Sequence, residues 1–302
     1  MLEAILIFGI INGLIYALVA LGFTMAYGIS GIVNLAHGVF FVVGAYLYGV
    51  LLTPLSKIIS PDFPYLATLT AALLSIIITG FIGSIFYRIT LHHILGDEVS
   101  ILITSILACI IFQKLIYITV GYAAAFQFRI EPFAYGQIKI LSTYVPTGQA
   151  LATLISLIAF AVLAIFITKT KIGRAMKSLS QDLESAMLMG VSTEKMYIFT
   201  TFISAGLASL AGTLFTSTLT QGVASQMWMQ ALAISFTVVV LGGLGSIKGS
   251  LLGGLIFGIA EAAATRILPG GGVLQQSIPF IVIIIALLIR PKGLFGKRIE
   301  ME

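Results

Sequence analysis

Long apolar runs alternate with short polar breaks along almost the whole chain. The runs fall near 4–27, 37–55, 64–87, 99–118, 147–168, 198–220, 228–245, 249–267 and 274–290. Each has roughly the 17–25 residues that a helix needs to cross a hydrocarbon layer. One break differs from the rest. Lys169–Lys195, KTKIGRAMKSLSQDLESAMLMGVSTEK, gathers five basic and three acidic residues, whereas charges elsewhere stand at the edges of runs. Within it Met176, Leu179, Leu183, Ala186 and Met187 recur at three- and four-residue steps, while Arg174, Lys177, Gln181, Asp182 and Ser185 face elsewhere. That spacing predicts one compact amphipathic helix outside the bilayer.

Composition narrows the class. With 59% hydrophobic and 9% charged residues and a mean hydropathy of +1.12, there is too little polar surface to cover a globule in water. The expectation is a single integral membrane domain over 1–302, all-α, with about nine transmembrane helices. Met1–Glu3 lacks a basic head and no small-x-small site follows the first run, so that helix is expected to be retained. Cys109 is the only cysteine and can form no intrachain disulfide.

Charge bias orients the spans. Loops 88–98, 169–197 and 246–248 and the tail hold Arg88, Lys169, Lys171, Arg174, Lys177, Lys195, Lys248, Arg290, Lys292, Lys297 and Arg298. The other side holds Lys57, Lys114, Arg129, Lys139 and Arg266. Eleven against five places loop 169–197 and the C-terminus in the cytoplasm and the N-terminus outside. Nine spans satisfy that parity; a re-entrant half-helix would change the count. In the outer loop 119–146, Phe126–Glu131 and Gln137–Ile140 alternate polar with apolar around turn residues Pro132–Gly136. This predicts a hairpin on the membrane face, either a connector or a platform for an external partner.

Two glycine-rich stretches interrupt the runs, Tyr27–Gly38 and Gly242–Gly254. Broken helices in a bilayer expose backbone groups and often flank solute sites. Glycines four apart, as at Gly249/Gly253 and Gly254/Gly258, equally suit close helix packing. A true break is favoured at 28–36, where Ser30, Asn34 and His37 add polar side chains. Asn12 and Glu261 lie well inside apolar runs; Glu261 marks a pathway or bonds to a neighbouring hydroxyl. Gln113 and Lys114 near the outer end of their span read as snorkelling groups. Adjacent His92 and His93 lack a third ligand, so no metal site is expected. No GxxxxGK[ST], G-x-S-x-G or H-E-x-x-H motif occurs, so an energy source for uphill transport would lie on another chain. The short loops offer no nucleic-acid surface.

Several motifs then agree in order with one family. Gly28-Ile-Ser-Gly-Ile-Val-Asn-Leu-Ala-His-Gly38, Gly173-Arg-Ala-Met, Gln181-Asp, Ala186-Met-Leu-Met-Gly190, Gly242-Gly-Leu-Gly-Ser-Ile-Lys-Gly249 and Arg290-Pro-Lys-Gly-Leu-Phe295 resemble the LivH-type permeases of branched-chain amino-acid ABC importers. The resemblance implies the ribose/LivH-type permease fold, without the first helix of the ten-helix ribose permeases, in a bacterial or archaeal inner membrane. It implies a LivM-like partner permease, two LivG/LivF-like ATPases that bind ATP and magnesium, and an extracytoplasmic amino-acid-binding protein, with no cofactor on this chain. Glu184-Ser-Ala-Met-Leu-Met-Gly190 is similar to the Glu-Ala-Ala-x-x-x-Gly signature of importer coupling helices, with serine at its second position. Gly173, Arg174, Lys177, Asp182, Glu184, Ala186 and Gly190 thereby become candidate coupling residues. A helix resting on the cytoplasmic leaflet would suit the same stripe. Asn12, Ser30, Asn34, His37 and Glu261 are candidates for the translocation path. Urea, short amides or other amino acids are alternative cargoes, and an ATP-independent channel or facilitator is the rival class.

Overall fold

The computed structural model describes residues 1–59, 64–121, 134–216, 222–267, 277–289 and 293–295. The apolar runs become helices α1 (Leu2–Ser30), α2 (His37–Ile58), α3 (Pro64–Ile89), α4 (Glu98–Val120), α5 (Thr147–Lys169), α8 (Thr193–Thr216), α9 (Trp228–Gly242), α10 (Ile247–Ile267) and α11 (Ile278–Ile289). Between α5 and α8 lie two short helices, α6 (Lys171–Leu179) and α7 (Leu183–Leu188). Among the described residues, eight stretches are long and apolar enough to cross a membrane. The expected ninth, 274–290, is described only over the 12 residues of α11 and a single turn residue before it.

Close backbone approach organises the core. In a bilayer, lipid tails compete with side chains for apolar contact, so small residues that let helices touch favour association. The most extensive pairing is α1 against α10. A Cβ on Gly258 would stand 2.4 Å from the Gly13 Cα, and one on Gly254 would stand 2.5 Å from the Ala17 Cβ. Gly249 and Gly253 lie on another face of α10, against Gly242 and the Val238 carbonyl of α9. The glycines of 249–258 are therefore packing residues, serving two neighbours at once. The helix break in that stretch is confined to the turn 243–246. Around this seam α2 and α8 cross where Gly44 meets Ser209 and Gly212 meets the Phe41 carbonyl.

The two ends of the bundle separate the charged loops. The end of α1 meets the 243–246 turn at Gly28 and Gly245. Ser30, Tyr87 and Tyr197, from α1, α3 and α8, meet at the same end. At the opposite end, Ser142 donates to Glu3 and Arg266 lies 4.7 Å over the Phe8 ring. There a two-stranded hairpin pairs β1 (Gln137–Ile140) with β2 (Thr143–Pro146), with Ile138 opposite Val145. Among the described residues, Gln137–Ile140 pairs with the segment after it. Phe126–Glu131 lies outside the described residues.

Candidate functional site

The polar stretch 169–195 is an elbow of two helices. Thr170 caps α6 through its hydroxyl, which accepts from the Gly173 amide at 3.0 Å. A Cβ on Gly173 would meet the Phe166 carbonyl oxygen at 2.3 Å, so glycine permits the tight α5–α6 corner. The expected single helix breaks at Ser180–Gln181 because Asp182 starts a new one. Its carboxylate accepts from the Ser185 amide at 3.0 Å and the Ser185 hydroxyl at 2.5 Å. Those bonds, the hydroxyl's foremost, hold the Asp182 carboxyl below the usual range. α7 ends at Gly190 in the left-handed region, φ +83°. The Val191 amide bonds the Ala186 carbonyl and the Gly190 amide bonds that of Met187, the paired bonds of a Schellman end.

The break rotates the two halves of the apolar stripe apart. Met176, Leu179 and Ala186 are buried, with α6 packed on the ends of α5, α1 and α8. Leu183 and Met187 are exposed, and Leu188 and Met189 project at 88% and 85% exposure. Of the expected coupling residues, Gly173 and Ala186 are buried and shape the elbow. Arg174, Lys177 and Glu184 are exposed on it, while Asp182 and Gly190 form the caps of α7. The elbow thus presents an apolar tip flanked by cations. Leu188 and Met189 were not singled out from sequence, although a Met-Leu-Met run ending at glycine carries the signal.

The break after α1 goes deeper than a surface loop. Gly31 caps α1 at φ +68° and the chain turns back along it. His37 Nε2 bonds the Val19 carbonyl at 2.8 Å, Nδ1 bonds the Ser204 hydroxyl at 3.2 Å, and Cys109 Sγ reaches the Leu35 carbonyl at 3.5 Å. Val19, Ser204 and Cys109 each lie eleven residues from the elbow-side end of their helix. At about 1.5 Å per residue that is about 16 Å, roughly half of a ~30 Å layer. Hence α2 starts near mid-membrane. α9 also starts inside the layer: Trp228 Nε1 donates to Gln113 of α4 at 2.9 Å, about 10 Å short of the α4 end. The Trp228 carbonyl and Leu232 press on Gly38.

The five candidate path residues do not share one wall. Ser30 and Asn34 line a small polar cavity of about 10 Å³ with Tyr87, Tyr197, Thr200 and Thr201, room for about one water. Asn34 also accepts from the Ala36 amide at 3.0 Å. His37, 2% exposed, has both ring nitrogens engaged and meets Phe23 in a T-shaped ring contact. It fastens α2 to α1 and α8 and lines neither small cavity. Glu261, 2% exposed, sits behind Tyr16, whose hydroxyl donates to it. Tyr16 in turn faces a second cavity of about 10 Å³ with Gln230 and Met227. Asn12 is half-buried on α1, beside the Gly13 contact. Among the described residues no group of three metal-ligating side chains is assembled.

Comparison with known proteins places this arrangement. Residues 5–287 match the family described as "Branched-chain amino acid transport system / permease component". The chain is 31% identical over 296 residues to the high-affinity branched-chain amino acid transport system permease protein LivH of Salmonella typhimurium, covering 96% of this chain and 94% of that one. It is 30% identical over 298 residues to BraD of Pseudomonas aeruginosa, covering 97% and 95%. PsaBC from Streptococcus pneumoniae in complex with Fab superposes over 95% of this chain and 92% of that one, with TM-score 0.48 and 16% identity. The chain belongs to the family of branched-chain amino acid transport system permease components.

Proposed function

We propose that this chain is one of two transmembrane subunits of an ATP-driven importer that carries leucine, isoleucine, valine or related amino acids into the cytoplasm. A LivM-like permease would supply the second subunit. Two LivG/LivF-like ATPases bind ATP and magnesium, and an extracytoplasmic binding protein delivers the cargo against the hairpin side. The observation that carries the reading is the elbow. An apolar tip at Leu188 and Met189, rigidly attached through buried Met176 and Leu179 to the ends of three spanning helices, is suited to enter a cleft on an ATPase. Arg174, Lys177 and Glu184 flank it with polar contacts. Closure of the ATPases would then move α1, α5 and α8 and change the side to which the path opens.

The test is reconstitution of the five-component system in proteoliposomes. Leu188→Asp with Met189→Asp is expected to remove ATP-driven uptake while leaving membrane insertion normal, since two carboxylates cannot be buried in an apolar cleft. Full uptake by that double variant would overturn coupling through the elbow. Transport by the chain alone, without ATPases, would overturn the importer.

A further inference from the structure

A polar patch stands on the membrane-spanning surface in the outer half of the layer. Residues 222–224 are non-helical and Ser225–Met227 is a single 3₁₀ turn, and they lie beside α4 at the level of Gln113–Tyr117. The Tyr46 hydroxyl donates to the Val223 carbonyl at 3.0 Å. Gln113 Nε2 donates to the Tyr117 hydroxyl at 3.2 Å, which also faces the Ser225 and Gln226 side chains. Gln226 and Lys114 are exposed at the rim of this network. The Lys114 ammonium lies 5.2 Å over the Tyr117 ring. Met229, on the first turn of α9 beyond Gln226, is 61% exposed.

Lipid is a poor neighbour for such a surface. Irregular backbone at membrane depth is tolerated where protein covers it or water reaches it, not against acyl chains. An amide side chain and an ammonium carried beside that backbone point the same way, because ionisable groups at depth face bundle interiors or wet cavities. α5 shows what a lipid face of this protein looks like: at comparable depth it exposes Leu154, Leu157 and Ile158. Lys114 is six residues from the end of α4 and Leu154 is seven from the start of α5, so the two lie at comparable depth; on α4 the polar patch is bordered by exposed Ile111, Leu115 and Ile118.

Resting on the importer reading above, we infer that Lys114, Tyr117 and Gln226 line a water-filled route between this subunit and its partner permease, and that Lys114 receives the carboxylate of the travelling amino acid. The ammonium supplies the opposite charge, Tyr117 and Gln226 supply oxygens for the substrate's own ammonium, and Met229 offers a soft apolar surface to a branched side chain. A carboxylate held at one exposed point, open to water, is bound weakly enough to leave again, which transport requires.

The experiment uses the complete importer in proteoliposomes. Lys114→Cys should react with a membrane-impermeant maleimide from the binding-protein side, whereas Leu154→Cys should not. The unsubstituted chain, whose single Cys109 is buried, is the blank. Lys114→Met should lower uptake by about tenfold, the loss of one charge-assisted contact. ATP hydrolysis should still respond to loaded binding protein, and Lys114→Arg should keep most of the uptake. An unreactive Lys114→Cys would overturn the inference by showing a lysine that snorkels from lipid, as would wild-type uptake by Lys114→Met. The labelling arm needs no cargo, so it judges the water-facing wall even if the importer reading fails.

Discussion

Glycine does opposite work at the α1/α10 seam and at the elbow of α6 and α7. Along the seam, Gly9, Gly13, Gly254 and Gly258 have ordinary helical backbones and no room: a Cβ on Gly258 would meet α1 backbone atoms at 2.4 Å. At the elbow Gly190 has nothing within 4 Å of a Cβ, but its φ is +83°. The first glycine is needed because of what lies opposite, the second because of its own backbone. Burial follows the same division. Two thirds of the spanning windows of α1, α2 and α8 are buried, against 28% for α4 and 22% for α5. A close-packed centre thus carries peripheral helices and a small protruding elbow. α6 is anchored through buried Gly173, Met176 and Leu179 on the ends of α5, α8 and α1, whereas its continuation α7 buries only Ala186.

Substitutions can test this division, and the largest effect belongs to the seam. Gly258→Leu would force α1 and α10 apart along their length, beyond the roughly 1–3 kcal/mol of ordinary overpacking. The expected result is loss of folded protein after detergent extraction, together with loss of uptake. A wild-type melting temperature in that variant would refute the seam as the structural centre. Gly190→Ala comes next. It places a Cβ in open space but in the left-handed region, at a cost of about 1–2 kcal/mol borne by the end of α7. Melting should change little, while ATP-driven uptake falls severalfold as Leu188 and Met189 lose their orientation. Equal losses of melting temperature in the two variants would erase the distinction between seam and elbow.

The smallest effect concerns Asp182. Its folded carboxyl is depressed by the Ser185 hydroxyl and amide, so its contribution to α7 is complete above the unfolded carboxylate value. The contribution is lost as pH falls through the lower, folded value. Hydrogen exchange of the 183–188 amides should therefore be flat near neutrality and accelerate, relative to the rest of the chain, only in acid. Asp182→Asn keeps a capping oxygen, so it should leave neutral-pH protection nearly unchanged and remove that acid limb. An acid limb that persists in Asp182→Asn would assign it to another group.

The apolar runs and the elbow's place between α5 and α8 were legible in the chain. These are local matters: run length and amphipathic spacing act within a few residues. The kink at Asp182 was half legible, since an aspartate three residues before a serine is a capping pattern, but the helical spacing ran across it. His37 shows the limit. A histidine beside a helix break reads as polar lining, yet its two ring nitrogens are taken by Val19 and Ser204, residues brought to it by two other helices. Glu261 is alike: the charge is visible in the run, its Tyr16 partner is not.

Hydropathy, read along one dimension, was thus enough to establish a multi-span membrane protein, because a bilayer imposes its thickness on every helix separately. The depth at which α2 and α9 begin depended on the fold, since it is set by where each helix end is fastened to its neighbours. So did the difference between Lys114 beside irregular backbone and a lysine that merely reaches for the surface. Only the packing of α4 against the 222–227 segment brings Tyr117, under that ammonium, to the Ser225 and Gln226 side chains.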